Sequence, residues 1–179
     1  MLFNKVHAFF NPEQFQGWGK TKNYFEGWYF KVVNADATKA FAFIHGIAMD
    51  AAGNKHSFIQ VLDGKKQTAG YHRFTADDFY SLPKNFRVSI QNNSFSGSGI
   101  QLSLPGLTGE LQFTGNIPWP KPWYSPGIMG PYAFVPFMEC YHGIVSMDHR
   151  VDGMIIVNGE TIDFTNGRKK KKKDWGRSF

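Results

Sequence analysis

The fold is decided by the segment YFEGWYFKVV, residues 24–33, which crowds aromatic side chains around one carboxylate. Successive side chains of a β-strand point to opposite faces. This period gives the segment one face with Glu26, Trp28, Phe30 and Val32 and another face with Phe25, Gly27, Tyr29 and Lys31. We therefore predict a strand that carries Glu26 on the same face as two large aromatic rings.

Glu26 has two interpretations in such a strand. Because an isolated ionised carboxylate is too costly to bury, a buried Glu26 must be paired, hydrogen-bonded or protonated. One interpretation is a half-exposed carboxylate at the entrance of the strand, which the usual exposure of glutamate favours. The other is a protonated acid in an aromatic pocket, which would suit acid catalysis.

The basic charge of the chain is concentrated in one run. The 179 residues fit one domain, which we divide into an irregular lead-in over residues 1–23 and a barrel over residues 24–179. Lys169–Lys173 supply five of the 20 basic residues, and the remaining 15 nearly balance the 14 acidic ones. We expect a solvated, flexible run that makes at most a weak contact with anionic lipid through Arg168 to Lys173, and no specific nucleic-acid binding.

Several function classes are not supported by the sequence. The lone cysteine, Cys140, excludes an internal disulfide framework and fits a reducing compartment. No signal peptide or membrane-spanning stretch is evident, so we expect a cytoplasmic protein, with a location peripheral to a membrane as the alternative. The six histidines are scattered, and we expect no metal site and no cofactor.

Short strand signals separated by turn residues continue through the chain. Asp63-Gly64 and Asn158-Gly159 predict two-residue hairpin turns, and Asn166-Gly167 predicts a return strand that enters the lysine run. Residues 75–79 offer one helical turn after a Thr cap. The further strands are predicted at Lys39–Ala48, Lys55–Leu62, Lys65–Phe74, Phe86–Ile90, Gly99–Leu104, Gly109–Phe113, Met138–Met147, Met154–Val157 and Glu160–Phe164.

Strands at this spacing favour an all-β fold, either an up-and-down barrel or a sandwich. We predict a lipocalin-like (calycin-type) antiparallel barrel of about eight strands, a size that can hold one small apolar ligand. A proline-rich loop over residues 117–136 interrupts the strands. Its rings either cover the mouth of a cavity or plug the end of the barrel; these are Trp119, Trp123 and Tyr124.

Three segments together resemble the tocopherol cyclase-like family: Phe25–Lys31, Phe41–Ile47 and Lys173–Phe179. The region Leu107–Pro126 and the triplet Tyr141-His142-Gly143 resemble it as well. The resemblance implies a lipocalin-like fold related to carotenoid hydratase-type proteins. Family members are longer, which implies that this chain is the first of two barrel domains. They also tend to have Gly, an aromatic and an acidic residue where this chain has Lys169–Lys172.

The activity that this resemblance implies is an intramolecular cyclisation of a prenylated hydroquinone to a chromanol. An acid protonates the alkene of the tail nearest the ring, a tertiary carbocation forms, and the phenolic oxygen captures it. The catalytic candidates are Glu26, Asp174 and His45. The candidates for substrate binding, chosen as ring walls or phenol-orienting groups, are Trp28, Tyr29, Trp123, Tyr141, His142 and Trp175.

Two other functions fit the same sequence. The barrel could bind an apolar small molecule, such as a prenylquinone, without catalysis. Alternatively, the chain could be a structural half whose site needs a second barrel domain. Fold alone does not separate these functions.

Overall fold

The computed structural model describes residues 11–115, 117, 120, 127–135 and 138–177, except for the side chains of residues 147, 148, 169 and 170. This part of the chain is almost entirely β-structure, with short 3-10 segments at Ala76–Asp78 and Gly130–Phe134. None of its helical segments has the length and hydropathy that a membrane-spanning helix needs. Residues 11–23 carry no regular secondary structure.

The twelve strands of the described residues follow in chain order. They are β1 (Tyr24–Val33), β2 (Ala40–Met49), β3 (Lys55–Asp63), β4 (Thr68–Thr75), β5 (Phe79–Ser81), β6 (Arg87–Ile90), β7 (Asn93–Ser96), β8 (Gly99–Leu104), β9 (Leu107–Thr114), β10 (Cys140–Val157), β11 (Glu160–Asp163) and β12 (Gly167–Gly176).

One antiparallel sheet contains all of these strands and curls into a nearly closed barrel. Its order is β4-β3-β2-β1-β12-β10-β9-β8-β7-β6-β5, and β11 pairs with the last residues of β10. The two ends of the sheet, β4 and β5, are joined by Ala76–Asp78, where Thr75 and Asp78 form a capping box. The predicted all-β, lipocalin-like barrel is confirmed, although the path has eleven strands instead of about eight.

β1 is an interior strand of the sheet and determines which of its side chains point into the barrel. It pairs with β2 on one side and β12 on the other. The predicted face is confirmed, because Glu26, Trp28, Phe30 and Val32 are all fully buried. On the opposite face Gly27 lies across from Gly46 of β2. A methyl group on Gly46 would collide with the β1 backbone. The two strands can therefore approach closely at this point.

The lysine run is not a flexible, solvated segment, and this prediction was wrong. It forms half of β12, a strand paired on both sides. Because side chains alternate along a strand, Lys171 and Lys173 point into the barrel and are buried, whereas Lys172 is exposed. Any contact of the run with lipid is thus confined to its outward-facing residues.

Of the other local predictions, some are wrong and some are confirmed. The two-residue hairpin at Asp63-Gly64 is wrong: the loop has four residues, 64–67, because the Asp63 carboxylate accepts hydrogen bonds from the backbone amides of Lys65 and Lys66. The Asn158-Gly159 hairpin is confirmed, with φ of 50° and 85°. The two strands predicted over residues 138–157 are one long, irregular strand, β10. Trp119, Trp123 and Tyr124 lie outside the described residues.

Candidate functional site

A buried ion pair lies at the centre of the predicted site. Lys173 Nζ of β12 is 2.5 Å from Glu26 Oε1 of β1, and both side chains are fully buried. Trp28 is the Cα partner of Lys173, and Trp175 is the Cα partner of Glu26. The pairing of β1 with β12 thus places the Glu26 carboxylate, the Lys173 ammonium and the two indole rings together inside one end of the barrel.

The Glu26 carboxylate is saturated with hydrogen-bond donors besides Lys173. It accepts from the Tyr24 hydroxyl at 2.5 Å and from the backbone amides of Gln16 and Gly17 at 2.9–3.0 Å. Burial, together with the Glu26 charge, raises the pKa of Tyr24 well above its ordinary value. Glu26 is therefore neither half-exposed nor an isolated acid in an aromatic pocket: it is buried, paired and fully used as an acceptor.

Lys173 joins the barrel to the irregular segment that covers its end. Its ammonium lies 4.7 Å from the Trp28 ring centroid and 4.8 Å from that of Trp175, and it donates to the Gln14 carbonyl. Burial lowers the pKa of Lys173, and the nearby Glu26 charge opposes that shift. The Trp28 indole N–H also donates to the Glu13 carbonyl at 2.8 Å. These bonds fasten residues 13–17 across the end of the barrel.

His45 lies in the aromatic core, away from the surface. Its ring is fully buried and stacks on Phe95 with centroids 3.7 Å apart and on Trp28 at 5.3 Å. The barrel interior at this level is filled by side chains, since Phe30 and Phe43 are also fully buried. A catalytic role of His45 stays a prediction, and the geometry places it beside Trp28, not beside Asp174.

A small pocket opens outside this network, at the rim of the same end. Tyr141 of β10 stacks on Trp175 of β12 with centroids 5.7 Å apart and planes within 11°, and the Tyr141 hydroxyl donates to the Val135 carbonyl at 2.9 Å. The pocket encloses about 250 Å³. Mostly apolar residues line it: Pro12, Gln16, Gly127, Met129, Ala133, Phe134, Val135, Tyr141, His142 and Trp175.

A histidine and an aspartate meet at the edge of this pocket. His142 Nδ1 is 2.5 Å from Asp174 Oδ1, and both side chains are about half-exposed or more. The two residues are Cα partners in the ladder between β10 and β12. The His142 backbone amide contacts Met129 Sδ at 3.1 Å, which links the pair to the segment that closes the pocket. This arrangement can carry a proton at a solvent-accessible position.

Comparison with known proteins supports the fold. No protein-family model and no curated protein sequence matches the chain. A solved structure from Nitrosomonas europaea, provisionally assigned as an AttH, matches with a TM-score of 0.56 and 15% identity, over 87% of this chain and 52% of that one. CghA bound to Sch210972 matches with a TM-score of 0.53 and 11% identity, over 87% and 46%. CghA alone matches with a TM-score of 0.50 and 11% identity, over 88% and 47%.

These likenesses show a common barrel fold and nothing finer, because the identities are low. The chain spans about half the length of each of these structures. The coarser part of the predicted family resemblance, a lipocalin-like barrel, thus has structural support.

The predicted site residues fall into two groups. Glu26, Trp28 and His45 lie in the core around Lys173, whereas Asp174 and the ring or imidazole side chains of Tyr141, His142 and Trp175 meet at the rim. Tyr29 lies on the outer face of β1, half-buried, where burial raises its pKa. Trp123 lies outside the described residues. Within the described part of the chain, no group of three or more potential ligands could hold a metal ion.

Sequence reasoning missed three contributors to this region. Lys173 was predicted to belong to a solvated run. In a strand, however, it lies two residues from Trp175, so the two side chains share one face. Met129 and Phe134 belong to the short segment that walls the pocket. They carry no motif in the sequence, and only the tertiary contacts show their role.

Proposed function

We propose that this barrel binds an apolar small molecule with an aromatic ring in the rim pocket. The observation that carries the proposal is the wall made by the stacked Tyr141 and Trp175 rings, facing the side chains of Met129 and Phe134. Ligand sites of this kind are concave and mostly apolar, with a few polar groups that orient the ligand. Here the imidazole of His142 is such a group.

The size of the pocket restricts the ligand. Its volume of about 250 Å³ lies just below the range of roughly 300–1,000 Å³ typical of drug-sized ligands. It suits one ring head group, while a tail continues along the rim. A prenylated quinol has this shape. CghA supports the proposal, because it has a similar fold and its structure was solved with Sch210972.

Binding is tested by calorimetric titration with a short-tailed prenylated hydroquinone. We expect Tyr141→Ala to weaken binding about tenfold, because an aromatic contact contributes roughly 0.5–1.5 kcal/mol beyond its area. Tyr71→Ala is the matched control, since Tyr71 is also a tyrosine stacked on an aromatic ring, Phe58, but lies on β4, away from the pocket. Equal affinities of the two variants would contradict the proposed location.

The second candidate is the tocopherol cyclase-like reaction, which the His142–Asp174 pair at the pocket favours. The reaction is an isomerisation. A proton passes to the alkene of the tail, the phenolic oxygen attacks the tertiary carbocation, and the phenol proton is released to a base. Of the two predicted acids, Asp174 with His142 is at the pocket, whereas Glu26 is enclosed behind Lys173 and Trp175. We assign proton transfer to the exposed pair and a supporting role to Glu26.

The cyclase candidate predicts that Asp174→Asn lowers chromanol formation by about 100-fold or more without weakening hydroquinone binding. Product is measured by mass and retention time under reducing conditions. Glu26→Gln is the comparison. We expect it to lower chromanol formation only as far as it lowers the amount of folded protein. If Asp174→Asn keeps full activity while Glu26→Gln abolishes it in folded protein, the assignment of the acid is reversed. If neither the wild type nor the variants form product, only the binding proposal remains.

We also propose that a second barrel domain is a partner of this one. The chain covers only about half of each of the three solved structures described above, and exposed apolar side chains lie in or next to the short segment that walls the rim pocket; these are Ile128, Tyr132, Phe134 and Val135. Assaying the full gene product beside the 179-residue chain separates the cases. Product or binding from the full protein alone supports a site completed by the second domain.

A further inference from the structure

Two arginines lie side by side on the outer face of the barrel. Arg150 of β10 and Arg168 of β12 are Cα partners in the antiparallel ladder, and both are exposed. Side chains of directly opposite residues share a face, with their Cβ atoms roughly 5 Å apart. Two cations in this relation repel each other and destabilise the strand pair unless a negative charge lies between them.

Among the described residues, no carboxylate forms an ion pair with either arginine. Asp152, two residues along β10, accepts a hydrogen bond from the Asn166 backbone amide at 3.0 Å and so holds the turn that leads into β12. The ion pairs found within the described part of the chain involve neither arginine. The positive charge of the pair is therefore available to a ligand.

The arginines border a pocket of about 580 Å³ where β9 ends and β12 begins. Its other lining residues are Thr114, Gly115, Ile117, His149, Asn166 and Gly167. Two guanidinium groups, a hydroxyl and an amide side chain can donate hydrogen bonds here, and none of the described lining residues is acidic.

We propose that Arg150 and Arg168 form a binding site for a phosphate monoester-type anion. The planar guanidinium matches a phosphate with two parallel hydrogen bonds, and two such groups balance the charge of a dianion. The phosphate can belong to a soluble molecule or to a lipid headgroup. The site shares no residue with the rim pocket, so it stands independently of the proposed function.

Calorimetry with inorganic phosphate, at low and constant ionic strength, tests the site directly. We expect Arg150→Gln and Arg168→Gln each to weaken phosphate binding about tenfold, since a hydrogen bond to a charged group contributes on that scale. Lys66→Gln, an exposed lysine in the loop between β3 and β4, is the control and should bind like the wild type.

Thermal unfolding gives a second signature that a purely structural arginine would not produce. Without phosphate, Arg150→Gln should melt at or above the wild-type temperature, because the repulsion is removed. With phosphate well above the wild-type dissociation constant the order should reverse, because the wild type gains more stability from the bound ion than a variant that binds it tenfold more weakly. An order that is the same in both buffers would overturn the proposal.

Vesicle sedimentation identifies the source of the phosphate. Phosphatidylcholine vesicles with and without phosphatidic acid are compared for the wild type and both arginine variants. Binding of free phosphate that depends on both arginines indicates a soluble ligand, and binding of phosphatidic acid vesicles alone indicates a lipid headgroup. If neither is bound, or if the variants bind as well as the wild type, the site does not exist.

Discussion

Replacing Lys173 with methionine is expected to lower the free energy of unfolding by about 3–5 kcal/mol, the usual cost of breaking a buried ion pair. The reason is that Glu26 would stay behind without its cation in a region where neither side chain reaches solvent. The hydrogen bond to the Gln14 carbonyl would be lost as well, which loosens the segment across the end of the barrel. Urea denaturation at pH 7, followed by tryptophan fluorescence, measures the change.

The neighbouring lysine provides the control for this result. Lys172 lies on the same strand but is exposed, so Lys172→Met should change the free energy of unfolding by no more than about 0.5 kcal/mol. A double-mutant cycle with Glu26→Gln tests the coupling, because removing both charges should cost less than the sum of the single changes. If Lys173→Met is as stable as Lys172→Met, Glu26 does not depend on the lysine.

Most of the barrel could be predicted from the sequence because its strands obey simple rules. The alternation in β1 follows from the two-residue period, and the hairpin at Asn158-Gly159 follows from residues that accept positive φ. The four-residue loop after Asp63 was mispredicted because a side-chain carboxylate competed for the backbone amides. β5 and β7 were missed; they are three and four residues long, and so short a segment carries little periodicity.

The site was harder to predict because it depends on pairing between the two ends of the chain. Glu26 was recognised as a carboxylate among aromatic rings, but its cation is on β12, more than a hundred residues away. A lysine run suggests solvent exposure only if the segment is not a central strand. Once β12 is inserted between β1 and β10, the alternating lysines must enter the core. Composition alone cannot reveal that insertion.

Lys171 is a buried lysine that should make the stability of the barrel depend on pH. Its ammonium lies 4.8 Å from the Phe113 ring centroid and 5.5 Å from that of Phe30, and it donates to the Gly97 carbonyl. Burial lowers the pKa of Lys171 from 10.5 to about 7. Between these two values the unfolded chain binds more protons than the folded chain, so the stability of the wild type should rise with pH across this window.

Lys171→Met removes this dependence, because methionine keeps an apolar stem between the rings without a charge. At pH 6 the variant should be more stable than the wild type by roughly 2–4 kcal/mol, since each unit of pKa shift corresponds to about 1.4 kcal/mol and the hydrogen bond to Gly97 is lost. The advantage should shrink as the pH rises above 7 and nearly vanish by pH 10. Urea denaturation at pH 6, 8 and 10 measures it, with Lys172→Met as the control for the titration of other groups. A constant difference between variant and wild type would mean that Lys171 stays charged in the folded barrel, stabilised by the two aromatic rings and the carbonyl.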